Sequence, residues 1–335
     1  LPGPPFPAFS SAVSSPQLLP GEAGRYWLRW LPEPAAPPLP PAAELYLYLR
    51  PAQLALGGPV RVAVLEDAHR GLTVAWWPIF QLPDGSAGSS PAAPFGGPQL
   101  LVPGLPIPVL DAWLAAVQQQ LTAQGLRRLT LRLPPFAYEP QRSGPLVAAL
   151  QRQGYRVQLA EMDTYLPFSR DYEAHLHPSE RRRLHKCERH GLRFEQEPPL
   201  LLPLAYDFLR RCREEKGQRL SLTEERLTQL FRDFPRDYLL FSVRDAQGDW
   251  AALTVAVLAG GGVLYNFYPA SPLRYNSFSP VVLLNAGLHA FGRASGLRLL
   301  DLGTSTLPTG PNESLLRFKR HLGGVPSLKL TLVRE

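Results

Sequence analysis

Cysteine is nearly absent from this 335-residue chain: Cys187 and Cys212 stand alone, in no CxxC pair and not at ligand spacing from histidine. That pattern excludes a disulfide framework and a cysteine-based zinc site, and reduced thiols in a cytoplasmic protein are the expectation. Long apolar runs are also missing, and without 18 uncharged apolar residues in a row no membrane-spanning helix is expected. The opening "LPGPPFPAF" has no charged n-region and no continuous apolar h-region, so it does not read as a signal peptide. Among the seven histidines, His175, His177, His185 and His190 lie close in sequence but alternate over helix faces without clustered carboxylates, and no metal is expected. No G-x-S-x-G, Walker loop or cysteine-nucleophile motif occurs, and Cys187 reads as structural.

What the chain has in quantity is apolar residue, 45% against 19% charged, enough for a globular protein of two cores. Twelve prolines fall in residues 1–41, with little apolar periodicity, and predict an extended, poorly ordered amino end. The net charge of +7 is concentrated. Arg181, Arg182, Arg183, Lys186, Arg189 and Arg193, opposed only by Glu188, place +5 within thirteen residues. Such a patch suits an anionic partner held by salt-sensitive contacts. The stretch predicts a helix joining two domains, with Pro178 in its first turn, Glu180 near the positive end of its dipole and Gly191 at its end. Arg182, Lys186 and Arg189 then share one face.

The chain also repeats itself. "VLEDAHRGLTVAWWPI" (64–79) and "VRDAQGDWAALTVAVL" (243–258) both read as strand, Asp-containing turn, strand. An apolar-periodic helix ending in glycine follows in each half, at 109–125 and 280–296, then a strand at 126–134 and 297–303. A shorter helix ending in glycine comes next, at 145–155 and 314–324, and a closing strand at 163–168 and 327–333. Gly125 and Gly296 are 171 residues apart, Gly154 and Gly323 169, so the register is nearly constant. Five matched elements at one offset predict a duplicated, mixed α/β (α+β) fold.

This order of elements resembles the acetyltransferase fold of the GNAT superfamily, and two copies in one chain resemble the Fem-type peptidyltransferases that attach amino acids to peptidoglycan precursors. The likeness covers roughly residues 45–335 and is carried by "ERRRLHKCERHGLRFE", "YNFYPASPLRYNSFSPVVLLNAGLHAF", "GLRLLDLG" and "SLLRFKRHLGG". It implies two tandem GNAT-like acyltransferase domains: an amino end over 1–41, a first domain over 42–170, a basic linker helix over 171–191, and a second domain over 192–335 carrying the active cleft. It also implies acyl transfer to an amine at a splay between central strands, from acyl-CoA or aminoacyl-tRNA as the donor substrate, with no tightly bound cofactor. The partner is then a phosphate-bearing ligand (CoA, a nucleotide-linked precursor or tRNA), a membrane-surface acceptor stays open, and DNA is not expected.

The resemblance assigns residues as well. Lys319, in the Phe-Lys phrase, matches the Fem-type lysine near the reacting acyl group; its plain alternative is a surface lysine on a helix whose core side is Leu315, Leu316 and Phe318. Asp301, at the end of a strand, is read as general base or as a site for the acceptor ammonium, with a loop-bonding role as the alternative. Tyr268 and Asn266 share a strand face and would orient the amine. Gly96 and Gly97 match the first-domain position that helps hold the acceptor, or form an ordinary turn. Arg182, Lys186 and Arg189 are read as the phosphate clamp, together with Arg274, Ser277 and Ser279 of "RYNSFSP". That loop departs from the glycine-rich family pattern, since serine restricts positive φ and close approach. It also lacks the long helical arm of some Fem-type enzymes, because 198–236 is long enough only for two ordinary helices. Two other readings stand beside the Fem-like one: an ordinary CoA-dependent N-acyltransferase acting on a small amine or sugar, and a non-catalytic phosphate-binding module with a degenerate GNAT fold.

Overall fold

The computed structural model describes residues 15–20, 24–307 and 310–335. The chain divides into two compact units, the first built from 1–161 with 328–335 and the second from 162–327. These bounds differ from those read in the sequence at 170 and 191. Residues 1–14 and 21–23 of the proline-rich amino end lie outside the described residues. Within that same stretch, however, Tyr26–Leu31 is a strand (β1), where a poorly ordered segment was expected. Its alternating residues Tyr26, Leu28 and Trp30 are buried against the first core.

In the first unit β1 pairs with β2 (Val60–Asp67), and β2 with β3 (Leu72–Gln81), both antiparallel. The short β4 (Ala87–Gly88) pairs with β3 on one side and runs parallel to β5 (Leu129–Arg132) on the other. Two helices, α1 (Ile107–Ala123) and α2 (Pro140–Arg152), pack together and supply Trp113, Leu114, Val117 and Leu150 to the core, with Trp77 and Trp113 edge to face at 5.9 Å.

The second unit repeats this plan. It contains the end of β6 (Arg156–Pro167), the basic helix α3 (Pro178–Arg189), β7 (Arg193–Glu197), α4 (Leu202–Glu214) and α5 (Glu224–Asp233). Then follow the hairpin β8 (Tyr238–Arg244) and β9 (Trp250–Gly260), β10 (Val263–Asn266), α6 (Val281–Ala294), β11 (Leu299–Thr304) and α7 (Glu313–His321). The Asp-containing turn of the hairpin closes because the Asp245 carboxylate accepts the backbone N–H of Gln247 and Asp249. Helix α3, expected as a linker, is a full member of this unit and packs on α6.

The duplicated glycines have one physical basis. Gly125, Gly154, Gly296 and Gly323 all take positive φ, between 68° and 87°. In each case the next residue's N–H reaches back five residues: Leu126 to Leu121, Tyr155 to Leu150, Leu297 to Gly292 and Gly324 to Lys319. This is the left-handed helix stop that a Cβ would disfavour, so the sequence register is a register of identical caps.

One feature of the topology was not expected. The closing strands are exchanged: β12 (Val325–Arg334), at the far end of the chain, pairs antiparallel with β5 of the first unit, while Asp163–Pro167 of β6 pairs with β11 of the second. Among the described residues no helix is long and apolar enough to cross a membrane.

Candidate active site

The site begins where two parallel strands part. β10 and β11 pair at Val263–Leu299, Leu264–Leu300 and Tyr265–Asp301, and the ladder then stops. Beyond it the N–H groups of Phe267 and Tyr268 turn to the carbonyl of Val255 on β9, and β11 slips register against β6 between Asp301 and Thr304. A splay opens at the carboxyl end of the two strands, the place where open α/β sheets bind ligands.

Lys319 projects into the base of this splay. It is 5% exposed and is the buried residue of α7, whereas Leu315, Leu316 and Phe318 are only half-buried. The surface-lysine alternative is therefore excluded. Its Nζ donates to the carbonyl oxygens of Gly303 (2.6 Å) and Thr304 (3.0 Å) on β11. Burial draws its pKa down to about 8, while the charges of Asp163 and Asp301 pull it back up. Both carboxylates are themselves buried, Asp163 at 1% and Asp301 at 3% exposure. Asp301 Oδ1 accepts the Gly303 N–H at 2.6 Å, and Asp163 lies opposite Thr304 in the β6–β11 register. The loop-bonding role of Asp301 and its place beside the lysine thus coexist. An ammonium has three N–H donors, and two are taken up by the β11 carbonyls.

Ser305, beside Thr304 and Thr306, carried the same ambiguity in the sequence as Asp301, whereas Asp163 was not picked out. Ser305 is 1% exposed, and its hydroxyl has no hydrogen-bond partner among the described residues. Asp163 opens "DTYLPF", and a charged residue heading an apolar strand was the available signal.

Asn266 belongs to a second buried polar chain. Thr254 Oγ1 donates to Asn266 Oδ1 at 2.6 Å, Asn266 Nδ2 to Asn285 Oδ1 at 3.2 Å, and Asn285 Nδ2 to the Val281 carbonyl at 2.8 Å. The chain fixes β10 against the first turn of α6; its signal was Asn285 inside the apolar run "VVLLNAGL". Tyr268 shares the buried face with Asn266, but its hydroxyl is engaged by the Ser221 hydroxyl and by the Leu222 N–H at 3.0 Å. This geometry gives Tyr268 the work of holding the loop before α5.

The basic residues divide. Lys186 donates to the Ser277 carbonyl at 3.0 Å and sits 4.4 Å from the centre of the Phe278 ring, while Cys187 Sγ approaches the Phe278 carbonyl at 3.4 Å. Helix α3 thereby clamps the loop that leads into α6. Burial lifts the Cys187 thiol to about 11, which suits a packing role. Arg182 and Arg189 instead rim an exposed depression of about 450 Å³ with His185 and Glu188. Ser279 has φ of 54°, alone among the described residues other than glycine in taking a left-handed backbone. A serine thus adopts the conformation expected of glycine at this turn, and strain of this kind collects at ligand-binding positions. Arg274 stacks on Tyr275 at 5.0 Å and faces a different cavity from the α3 depression.

Gly96 and Gly97 lie in the first unit, both buried. The Gly96 N–H bonds the Arg132 carbonyl at 2.7 Å, and a Cβ there would sit 3.0 Å from that of Ser89, so close packing accounts for the residue.

No family model matches this chain, and no curated protein sequence matches it. Its fold has clear counterparts. FemX superposes on 84% of this chain and 89% of its own with a TM-score of 0.64 at 12% identity. A tandem GNAT protein from the clavulanic acid biosynthesis pathway covers 92% and 98% with a TM-score of 0.51 at 15% identity. The C-terminal domain of a putative lysylphosphatidylglycerol synthetase from Agrobacterium fabrum covers 78% and 81% with a TM-score of 0.50 at 15% identity. At such identities the likeness is one of fold alone, the tandem GNAT fold that these structures share.

Proposed function

We propose that this chain is an N-acyltransferase whose second unit moves an acyl or aminoacyl group from an activated donor to an amine. The observation that carries the reading is Lys319, an ammonium buried at the β10–β11 splay with two of its donors fixed on β11 and two carboxylates near it. A fold in need of stability alone would place an apolar side chain there, because a buried charge costs several kcal/mol, on the order of what a whole hydrogen-bonded pair returns.

In this reading the amine nitrogen attacks the donor's acyl carbon, forming a C–N bond and an oxyanion. Collapse of that oxyanion breaks the bond to the donor's sulfur or ribose oxygen, and the leaving group takes up a proton as the amine loses one. The third N–H of Lys319 serves the oxyanion, and Asp301 accepts the proton from the amine. No covalent enzyme intermediate is needed, and positioning supplies the rest. The Ser277–Ser279 turn at the start of α6, braced by Lys186, holds donor phosphate, with Arg182 and Arg189 as an outer, salt-sensitive contact.

An aminoacyl donor, as the Fem resemblance implies, is favoured over acyl-CoA by Ser279. That serine sets a Cβ and a hydroxyl at a turn where the glycine-rich pattern of CoA-dependent GNAT enzymes has neither. The test is thermal stabilisation by acetyl-CoA, free CoA and mixed aminoacyl-tRNA at two salt concentrations. Salt-sensitive stabilisation by tRNA supports the aminoacyl donor. Stabilisation by CoA species moves the reading to the ordinary GNAT chemistry, and no shift with any of them favours the non-catalytic module.

A further inference from the structure

Helix α4 and the turn before it carry apolar residues at a four-residue spacing, Leu200, Leu204, Phe208 and Cys212. The outer two are unusually open, Leu200 at 87% and Leu204 at 62% exposure. The row leads into a cavity of about 320 Å³ walled by Phe208 and Trp250 and rimmed by Asp207, Arg211, Glu215 and Arg274. Nothing in the acyl-transfer site uses this cavity, yet its walls are held in place. Phe208 and Trp250 meet edge to face at 5.7 Å. Trp250 Nε1 donates to Glu197 at 2.8 Å, and the Arg244 guanidinium lies 5.2 Å from the Trp250 ring centre. Across the mouth, Glu215 accepts the Leu273 N–H at 2.8 Å and Lys216 donates to the Ser271 carbonyl at 3.2 Å, tying α4 to the segment that bears Arg274.

We propose that this cavity binds the adenosine phosphate end of the acyl donor, an inference that rests on the transferase reading above. The aromatic pair offers a surface for a planar base, as in proteins that stack unpaired nucleotides. Asp207 is taken up by Arg210 and Arg211, so the acceptor at the mouth is Glu215, whose carboxylate keeps lone pairs beyond the one that takes the Leu273 N–H; these match the exocyclic amine of adenine and are mismatched to the O4 carbonyl of uracil. Arg274 supplies a guanidinium fork for phosphate, and Arg211, which pairs with Asp207, adds its charge to the same rim. Arg274 also heads the stretch 274–279 that leads into α6, so the cavity and the turn assigned above to donor phosphate are borne by one short segment. CoA and the 3′ end of tRNA both finish in adenosine, and the cavity suits that shared chemistry.

Calorimetric titration of the full chain with adenosine 3′,5′-bisphosphate, with the trinucleotide CCA and with uridine 3′,5′-bisphosphate tests the assignment. Adenosine probes bind, and the uridine probe is weaker by roughly tenfold or more, since a site shaped for hydrogen bonds rejects a ligand that leaves them unmade. Arg274→Ala and Phe208→Leu, which keeps apolar bulk, each weaken adenosine binding by roughly tenfold. Binding quenches indole emission in the native chain, and Trp250→Phe removes the quench. A stronger response to the bisphosphate assigns the site to CoA, and a stronger response to CCA assigns it to tRNA. Equal affinity for adenosine and uridine probes, or adenosine binding untouched by both Arg274→Ala and Phe208→Leu, overturns the proposal. Acyl transfer with an unchanged donor KM in Arg274→Ala overturns the cavity and leaves the transferase reading standing. Adenosine bound at the cavity in a chain that transfers from no donor does the reverse.

Discussion

In the first unit the parallel strands β4 and β5 stay joined to the end of β5. Ala87, Ser89 and Gly96 donate in turn to the carbonyls of Arg128, Thr130 and Arg132, and Ser89 Oγ accepts the Arg132 N–H. Gly88 lets them approach so closely that a Cβ would lie 2.1 Å from the Thr130 oxygen. In the second unit the matching ladder ends at Tyr265–Asp301 and the strands part. The following helices differ in the same sense. Leu150 and Lys319 each stand four residues before a capping glycine, and each carbonyl accepts the same cap bond. Leu150 is wholly buried in an apolar core, and Lys319 is buried among carboxylates and carbonyls. Leu114 and Asn285, eleven residues before their own glycines, repeat the contrast. One fold therefore closes its central gap with leucine and backbone bonds, and again leaves it open and polar. The first unit builds the same fold without either polar residue, and the proposed reading accordingly puts the chemistry in the second unit.

The largest effect that sharpens this contrast is on turnover. Lys319→Met, close in length and without charge, lowers the transfer rate by roughly 10²–10³-fold, the range for loss of one oxyanion donor, as measured in single-turnover assays. Leu150→Ala in the first unit leaves the rate per folded molecule unchanged and costs about 2–5 kcal/mol of stability, read by denaturant titration. A rate loss in Leu150→Ala beyond its unfolded fraction would break the comparison.

Next comes pH. With the active ammonium of Lys319 titrating near 8, the rate falls by about tenfold per unit above that pH. Stability moves the other way. The folded pKa lies below the usual 10.5, so the unfolded chain binds more protons between about 8 and 10.5. The cost of burying the ammonium is present below pH 8 and is relieved as the pH rises through this window. Rate and chemical denaturation followed over pH 7–10 check both signs, and Lys319→Met flattens both profiles in that window.

Smaller effects follow. Asn266→Ala strips a partner from Thr254 and Asn285 and costs about 1–3 kcal/mol by denaturant titration, because buried polar atoms are left unsatisfied. Smallest is Arg182→Ala with Arg189→Ala: donor affinity falls about threefold at low salt and its dependence on salt becomes shallower, by an exposed contact's modest share.

The sequence made the duplication legible because it is written in caps and periods: the glycines at 125, 154, 296 and 323 stop helices by one mechanism, and strand and helix periods lie between them. The exchange of closing strands was not legible, since alternation along "DTYLPF" or "SLKLTLV" says which face is buried and not which sheet is joined. β1 was hidden by the prolines around "RYWLRWL". In the site, the phrase containing Lys319 drew notice through resemblance, but its burial ran against the helix's apolar pattern of Leu315, Leu316 and Phe318. Asp163 escaped because its role depends on a partner 156 residues away in the chain. Tyr268 was overvalued: a polar group beside a splay suggests chemistry until its hydroxyl is seen to be engaged.

The most direct test is a side-by-side single-turnover measurement of acyl transfer by the unmodified chain, Lys319→Met and Leu150→Ala, from acetyl-CoA and from aminoacyl-tRNA to a panel of amines. The account predicts a rate lost in Lys319→Met and preserved per folded molecule in Leu150→Ala. A folded Lys319→Met chain that transfers at the unmodified rate contradicts it.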